Sequence, residues 1–184
     1  MDRRQFTIAG TLAMGGAVTP AFAQANDPDN TIVMELKDGR VVIRLRPDLA
    51  PKHVAQIKTL VKRGFYDGIV FHRVIDGFMA QTGDPTGTGT GKSDLPNIPA
   101  EFTPTPFKRG TVGMARSQLP DSANSQFFIC FGDASFLNNQ YTVVGEVVSG
   151  MENVDKIKKG SQSQNGQVTN PDKMIRVRMA ADAK

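Results

Sequence analysis

Two histidines, His53 and His72, and one cysteine, Cys130, supply all the imidazole and thiol chemistry of this 184-residue sequence. A single cysteine rules out an intramolecular disulfide and a cysteine-based zinc site. Two histidines are too few for an all-histidine site, so no metal is expected. Cys130 lies in the run Phe127-Phe-Ile-Cys-Phe131, which reads as a buried strand, and an inert packed thiol outweighs a nucleophile there. Ser117, Ser122 and Ser125 lack the Gly-x-Ser-x-Gly elbow of a hydrolase. Asp84, Glu101 and Asp121 give no sign of converging as an acid pair and read as solvated loop carboxylates. In Thr86-Gly-Thr-Gly-Thr-Gly-Lys-Ser93, Thr86 stands where a phosphate loop needs glycine, and Lys92 where a dinucleotide fingerprint needs its third glycine. A flexible surface loop is the better account. Nucleophile, metal, nucleotide and acid–base chemistry are all unsupported.

Three segments are more distinctive than composition explains. Arg73 stands in Phe71-His-Arg-Val-Ile-Asp-Gly-Phe-Met-Ala-Gln-Thr-Gly-Asp84. Two further segments are distinctive, Gly110-Thr-Val-Gly-Met-Ala-Arg116 and Asn124-Ser-Gln-Phe-Phe-Ile-Cys130. With Gly64-Phe-Tyr-Asp-Gly68 and Val143-Val-Gly-Glu-Val147 they closely resemble the cyclophilin family of peptidyl-prolyl isomerases, and the likeness covers nearly all of residues 31–180. The resemblance implies a closed eight-stranded antiparallel β-barrel capped by two α-helices, with a substrate groove on its outside because the interior is filled by side chains. It implies Arg73 as the catalytic arginine. Phe78, Met79 and Gln81 would line the groove, Met114 would lie beneath it, and Ala115 and Arg116 would run along its edge. Gln126 and Phe128 would form the other wall. Phe136 and Leu137 would close the proline pocket, with Tyr141 at the rim. Proline-containing polypeptides are the implied substrates, and no cofactor is needed.

Those residue types suit the reaction. Amide resonance opposes rotation with a barrier of roughly 18–20 kcal/mol, and uncatalysed exchange at X–Pro takes tens to hundreds of seconds. In the twisted transition state the nitrogen lone pair leaves the carbonyl and becomes a better acceptor. A fixed guanidinium can therefore serve the transition state better than either planar ground state. The competing reading is a proline-binding or holdase module with little catalysis, but binding alone would need only the apolar pocket, not Arg73 and Gln81. Relative to the family, Phe136 stands where many eukaryotic members carry tryptophan and Tyr141 where they carry histidine, as in bacterial members. Loss of the indole N–H predicts weak inhibition by cyclosporin. Arg116, where many relatives have asparagine, is expected to alter the residues preferred around proline.

The elements that must position these residues are short. Strands are expected at Thr31–Leu36 and at 40–45, 69–75, 78–81, 111–115, 126–131, 141–148 and 174–179. Asp38-Gly39 signals a hairpin in which both turn residues take positive φ. Pro51 opens an amphipathic helix carrying Val54, Ile57, Leu60 and Val61 and stopping at Gly64; Val154 and Ile157 mark a second, short helix. The pattern alone argues for a barrel or a sandwich. By parity, Phe127, Ile129 and Phe131 share the core face of one strand, and Gln126 and Phe128 the other face.

Hydrophobic residues at 39% and charged residues at 22% are ordinary for one soluble domain, expected over 31–180, with a linker at 24–30 and a tail at 181–184. The net charge of +4 is scattered, which disfavours nucleic-acid binding. Residues 1–23 have the layout of an export signal: Arg3-Arg4, a weakly apolar stretch from Ile8 to Val18, then Ala21-Phe22-Ala23. Arg3-Arg4-Gln5-Phe6 resembles the twin-arginine motif, so cleavage after Ala23, a periplasmic location, no stable membrane insertion and a monomeric state are expected.

Overall fold

The computed structural model describes residues 27–183, so the expected export signal at 1–23 lies outside the described residues. Its first element follows from alternation. β1 (Thr31–Leu36) buries Ile32, Met34 and Leu36, and β2 (Gly39–Leu45) buries Val41, Ile43 and Leu45. The two pair from Thr31↔Arg44 to Leu36↔Gly39, so the turn residues are Lys37 and Asp38. The turn thus lies one residue earlier than the Asp-Gly pair the sequence suggested, and of that pair only Gly39, at φ 142°, has a positive φ. A side chain there would strike Asn153, whose Nδ2 donates to the Arg40 carbonyl at 2.9 Å.

α1 (Pro51–Lys62) starts at its proline, buries Val54, Ile57, Leu60 and Val61, and packs against the last strand. Glu101, far away in sequence, accepts from the backbone N–H of Lys52 and His53 at 3.1 and 3.0 Å, and from His53 Nδ1 at 2.5 Å. It supplies the N-terminal cap that Ala50 cannot. Glu101 is therefore a structural anchor rather than a solvated loop acid.

The remaining elements are β3 (Arg73–Ile75), β4 (Met79–Thr82), β5 (Thr111–Met114), β6 (Phe127–Cys130), β7 (Val143–Ser149), α2 (Met151–Asp155) and β8 (Arg176–Met179). All strand pairs are antiparallel, in the order β3-β4-β6-β5-β7-β2-β1-β8. The sheet curls into an eight-stranded barrel-like body, but the expected full closure is qualified at one seam: edge strands β3 and β8 do not pair with each other. Irregular chain fills the gap. Val74 N–H donates to the Gly166 carbonyl, Val168 N–H to His72, and Phe71 N–H to Asp172, at 2.8 to 3.1 Å. Asn165, Gly166 and Asn170 take positive φ and Pro171 has no N–H, so this segment cannot run as a strand. For the same reason the strand expected over 69–75 is shortened to Arg73–Ile75.

The interior core holds Met34, Ile43, Leu60, Phe71, Met114, Phe127 and Ile129 with their neighbours. A second apolar cluster sits on the opposite face of β4 and β6. It contains Met79, Phe107, Phe128, Cys130, Leu137 and Val143, with Phe78, Ala115 and Tyr141 packed against it.

Candidate active site

The groove is built on one register row across three strands: Arg73 of β3 faces Gln81 of β4, which faces Phe128 of β6, which faces Gly113 of β5. Residues in such a row share a face, so this pairing alone sets the cation, the amide and the ring side by side on the outside. Gly113 is part of the design. A Cβ there would come within 2.6 Å of both Phe107 Cε1 and Phe128 Cζ, so glycine lets the two rings stack at a centroid distance of 5.8 Å. Tyr141 meets Phe128 edge-on, also at 5.8 Å.

The resulting groove has a volume of about 610 Å3. It gathers Arg73, Phe78, Met79, Gln81, Ala115, Arg116, Phe128, Phe136, Leu137 and Tyr141. Phe136 is 62% exposed and tilts against Phe78 at 5.2 Å, so it forms a rim rather than a floor. Two expected residues stand elsewhere. Met114 pairs with Phe127 on the inner face and is 1% exposed in the interior core, so it cannot touch a peptide in the groove. Gln126 lies in an adjoining depression and reaches the site through its side-chain amide.

A relay of amides fixes the guanidinium. Arg73 Nη1 donates to Gln81 Oε1 at 3.2 Å, Gln81 Nε2 to Gln126 Oε1 at 2.9 Å, and Gln126 Nε2 to the carbonyls of Gly89 and Gly91. From the other side Arg73 Nε donates to the Asn165 carbonyl at 3.0 Å, and Nη2 to Asn165 Oδ1 at 2.9 Å. Partial burial lowers the Arg73 pKa, with Tyr141 acting the other way, yet an arginine so placed stays charged. Arg116 donates to three carbonyl groups, those of Gln140, Ser117 and Gln118, and lies 4.5 Å over the Tyr141 ring.

Asn165, the glycine-rich loop around Asp84, and His72 complete this arrangement. Asn165 grips Arg73 from the seam; the Asn165-Gly166 pair signals a turn, but not its long-range partner. The glycine-rich loop, expected to be flexible, is wound around Asp84. That carboxylate is 1% exposed and accepts from Thr86 Oγ1 and from the N–H groups of Thr86, Gly89 and Gly91. Burial raises its pKa, but these donors outweigh burial and bring it to about 2. The loop then presents Gly87, Thr88 and Gly89 as a wall of the groove. His72, 7% exposed, also lines the groove beside Gly89, with neither ring nitrogen hydrogen-bonded. Burial lowers its pKa and Arg73 adds to the effect, against Asp84, so its ring is neutral at pH 7.

Known proteins share this arrangement of strands and sequence. The family model described as "Cyclophilin type peptidyl-prolyl cis-trans isomerase/CLD" matches residues 31–179. A probable peptidyl-prolyl cis-trans isomerase of Brucella suis is 60% identical, covering 94% of this chain and 92% of its own. A cyclophilin from Hirschia baltica superposes with a TM-score of 0.76 at 29% identity, over 86% of this chain and 76% of that one. A cyclophilin type isomerase of Cryptosporidium parvum, solved in the presence of the dipeptide Ala-Pro, gives a TM-score of 0.73 at 25% identity, over 81% and 98%. By sequence over most of its length, and by the fold that carries the groove, the chain belongs to the cyclophilin-type peptidyl-prolyl cis-trans isomerases.

Proposed function

We propose that Arg73 is the catalytic group of this isomerase and that the apolar slot beside it, formed by Phe78, Met79, Phe128 and Leu137, receives the proline ring. The activity itself, cis/trans isomerisation of Xaa-Pro bonds, goes with membership of the family. The observation that carries the residue assignment is the way Arg73 is held. Its three hydrogen bonds go to Gln81 and to Asn165, none of them to a carboxylate. A guanidinium has five N–H donors, so one on each terminal nitrogen is left for substrate.

From there the steps need no proton transfer. The ring settles against Phe128, and the flanking amides meet the Gln81–Gln126 relay and the carbonyl-lined loop. As the prolyl amide twists, its nitrogen loses conjugation and gains acceptor strength. The free N–H groups of Arg73 interact with that nitrogen, or with the adjoining carbonyl, more strongly than in either planar form. Because Arg73 is already fixed, little reorganisation accompanies the step.

Arg73→Ala is expected to lower kcat/KM for a short Xaa-Pro peptide about 100-fold, equivalent to ~3 kcal/mol of transition-state stabilisation, without loss of fold. The measurement is a protease-coupled or magnetisation-exchange assay alongside a melting curve. Near-normal turnover by the variant would remove Arg73 from the mechanism. The leader-like residues 1–23 support a role in folding exported proteins in the periplasm. In that case the mature protein begins at Gln24, which N-terminal sequencing of the exported form would establish.

A further inference from the structure

The groove does not end at Arg116. It runs into an adjoining depression of about 450 Å3, with Gln81, Gly89, Ala115 and Arg116 common to both. Lys92 joins the lining there, and no carboxylate lines either hollow. Elsewhere on the surface arginine charge is largely balanced: Arg40, Arg44, Arg46, Arg63, Arg109 and Arg178 each pair with an acidic side chain, Arg176 being the exception among the described residues. Along the groove it is not. Among the described residues no carboxylate pairs with Arg73, Lys92 or Arg116. The Arg116 guanidinium donates instead to the carbonyls of Gln140, Ser117 and Gln118, and Lys92 Nζ reaches Asn97 Oδ1 at 3.3 Å.

Arg116 is also braced by the Tyr141 ring at 4.5 Å, so its charge is held in place before any ligand arrives. Arg73 lines the main groove but not the second depression. A carboxylate drawn to the depression would therefore meet Arg116 and Lys92 and leave Arg73 to the prolyl amide. An extended peptide advances about 3.3 Å per residue, which puts a hollow next to the proline slot within a few residues of the proline. Building on the isomerase reading, we infer that the preferred substrates carry an aspartate or glutamate within about three residues of the isomerised proline, seated against Arg116 and Lys92, and that a cation at that place is disfavoured.

The test is a set of otherwise neutral peptides containing one Ala-Pro bond. Glu, Gln or Lys is placed in turn at each of the three positions on either side, and turnover is followed by magnetisation exchange so that no protease preference intrudes. At one position the order of kcat/KM should be Glu, then Gln, then Lys, with Glu over Lys about tenfold at low salt. The ratio should contract at about 0.5 M salt, and fall towards one in Lys92→Gln combined with Arg116→Gln. Equal rates for the three peptides at every position, or a preference untouched by both salt and the double substitution, would overturn the inference. If the folded protein fails to turn over even the Gln peptides, the isomerase reading falls instead, and this inference with it.

Discussion

Arg73 takes its geometry from one residue 8 positions away, Gln81, and one 92 positions away, Asn165, which explains both what the sequence revealed about it and what it hid. Its type, its neighbours and its alternation with Val74 are local, so the outward-facing cation was legible. Asn165 was not, because nothing within its own segment points to Arg73. Asn165→Gly isolates the side chain: glycine keeps the positive φ of 53° and the backbone carbonyl that Arg73 Nε uses, and removes only Oδ1. Loss of one charge-assisted hydrogen bond that orients Arg73 should lower kcat about tenfold with little change in KM, read from initial rates over a range of peptide concentration. Phe136 offers no N–H at the rim, so cyclosporin should inhibit weakly while isomerase activity persists; a dose–response curve in the same assay checks this.

Elements carry the next level of the design. The hydrophobic periods of α1, β1 and β2 could be read directly, and Met114 shows where such reading fails. Its place in a distinctive segment suggested the groove, but its register opposite Phe127 turns it into the interior. Strand parity decides the face, and parity counted from a strand end is only as good as the boundary. Gly113, one residue earlier, is on the groove face, and Gly113→Ala should push the Phe128 ring towards the proline slot. A rise in KM of about fivefold or more is expected, larger than any change in kcat. Capping of α1 is the other feature of this scale. Glu101→Ala removes the acceptor for two helix N–H groups and for a buried imidazole, and should destabilise the fold by about 2–3 kcal/mol in urea titration.

For the molecule as a whole, two buried histidines set the acid side of stability. Burial lowers the pKa of His53, against Glu101, and that of His72, against Asp84. The unfolded chain therefore binds protons first, below the ordinary value of 6.5, so their contribution is complete above that pH and lost as pH falls towards the folded values. The carboxylates of Asp84 and Glu101, also lowered by their hydrogen bonds despite burial, add a second loss only at lower pH. Melting temperature should be level above pH 7 and decline below pH 6.5, by up to ~1.4 kcal/mol of stability per pH unit for each proton taken up. His53→Gln should flatten that decline. A barrel-like body was legible from the resemblance and a count of strands, whereas its seam was not: closure there depends on positive-φ residues pairing across irregular chain. One further property of the whole molecule follows from Tyr141 at the groove. The sequence has no tryptophan and two tyrosines, and the other, Tyr66, is buried with its hydroxyl donating to the Ser125 carbonyl. Ultraviolet emission thus comes from one phenol deep in the protein and one stacked under a guanidinium at the mouth of the binding cleft, so unfolding and peptide docking can each be watched optically on the unlabelled protein.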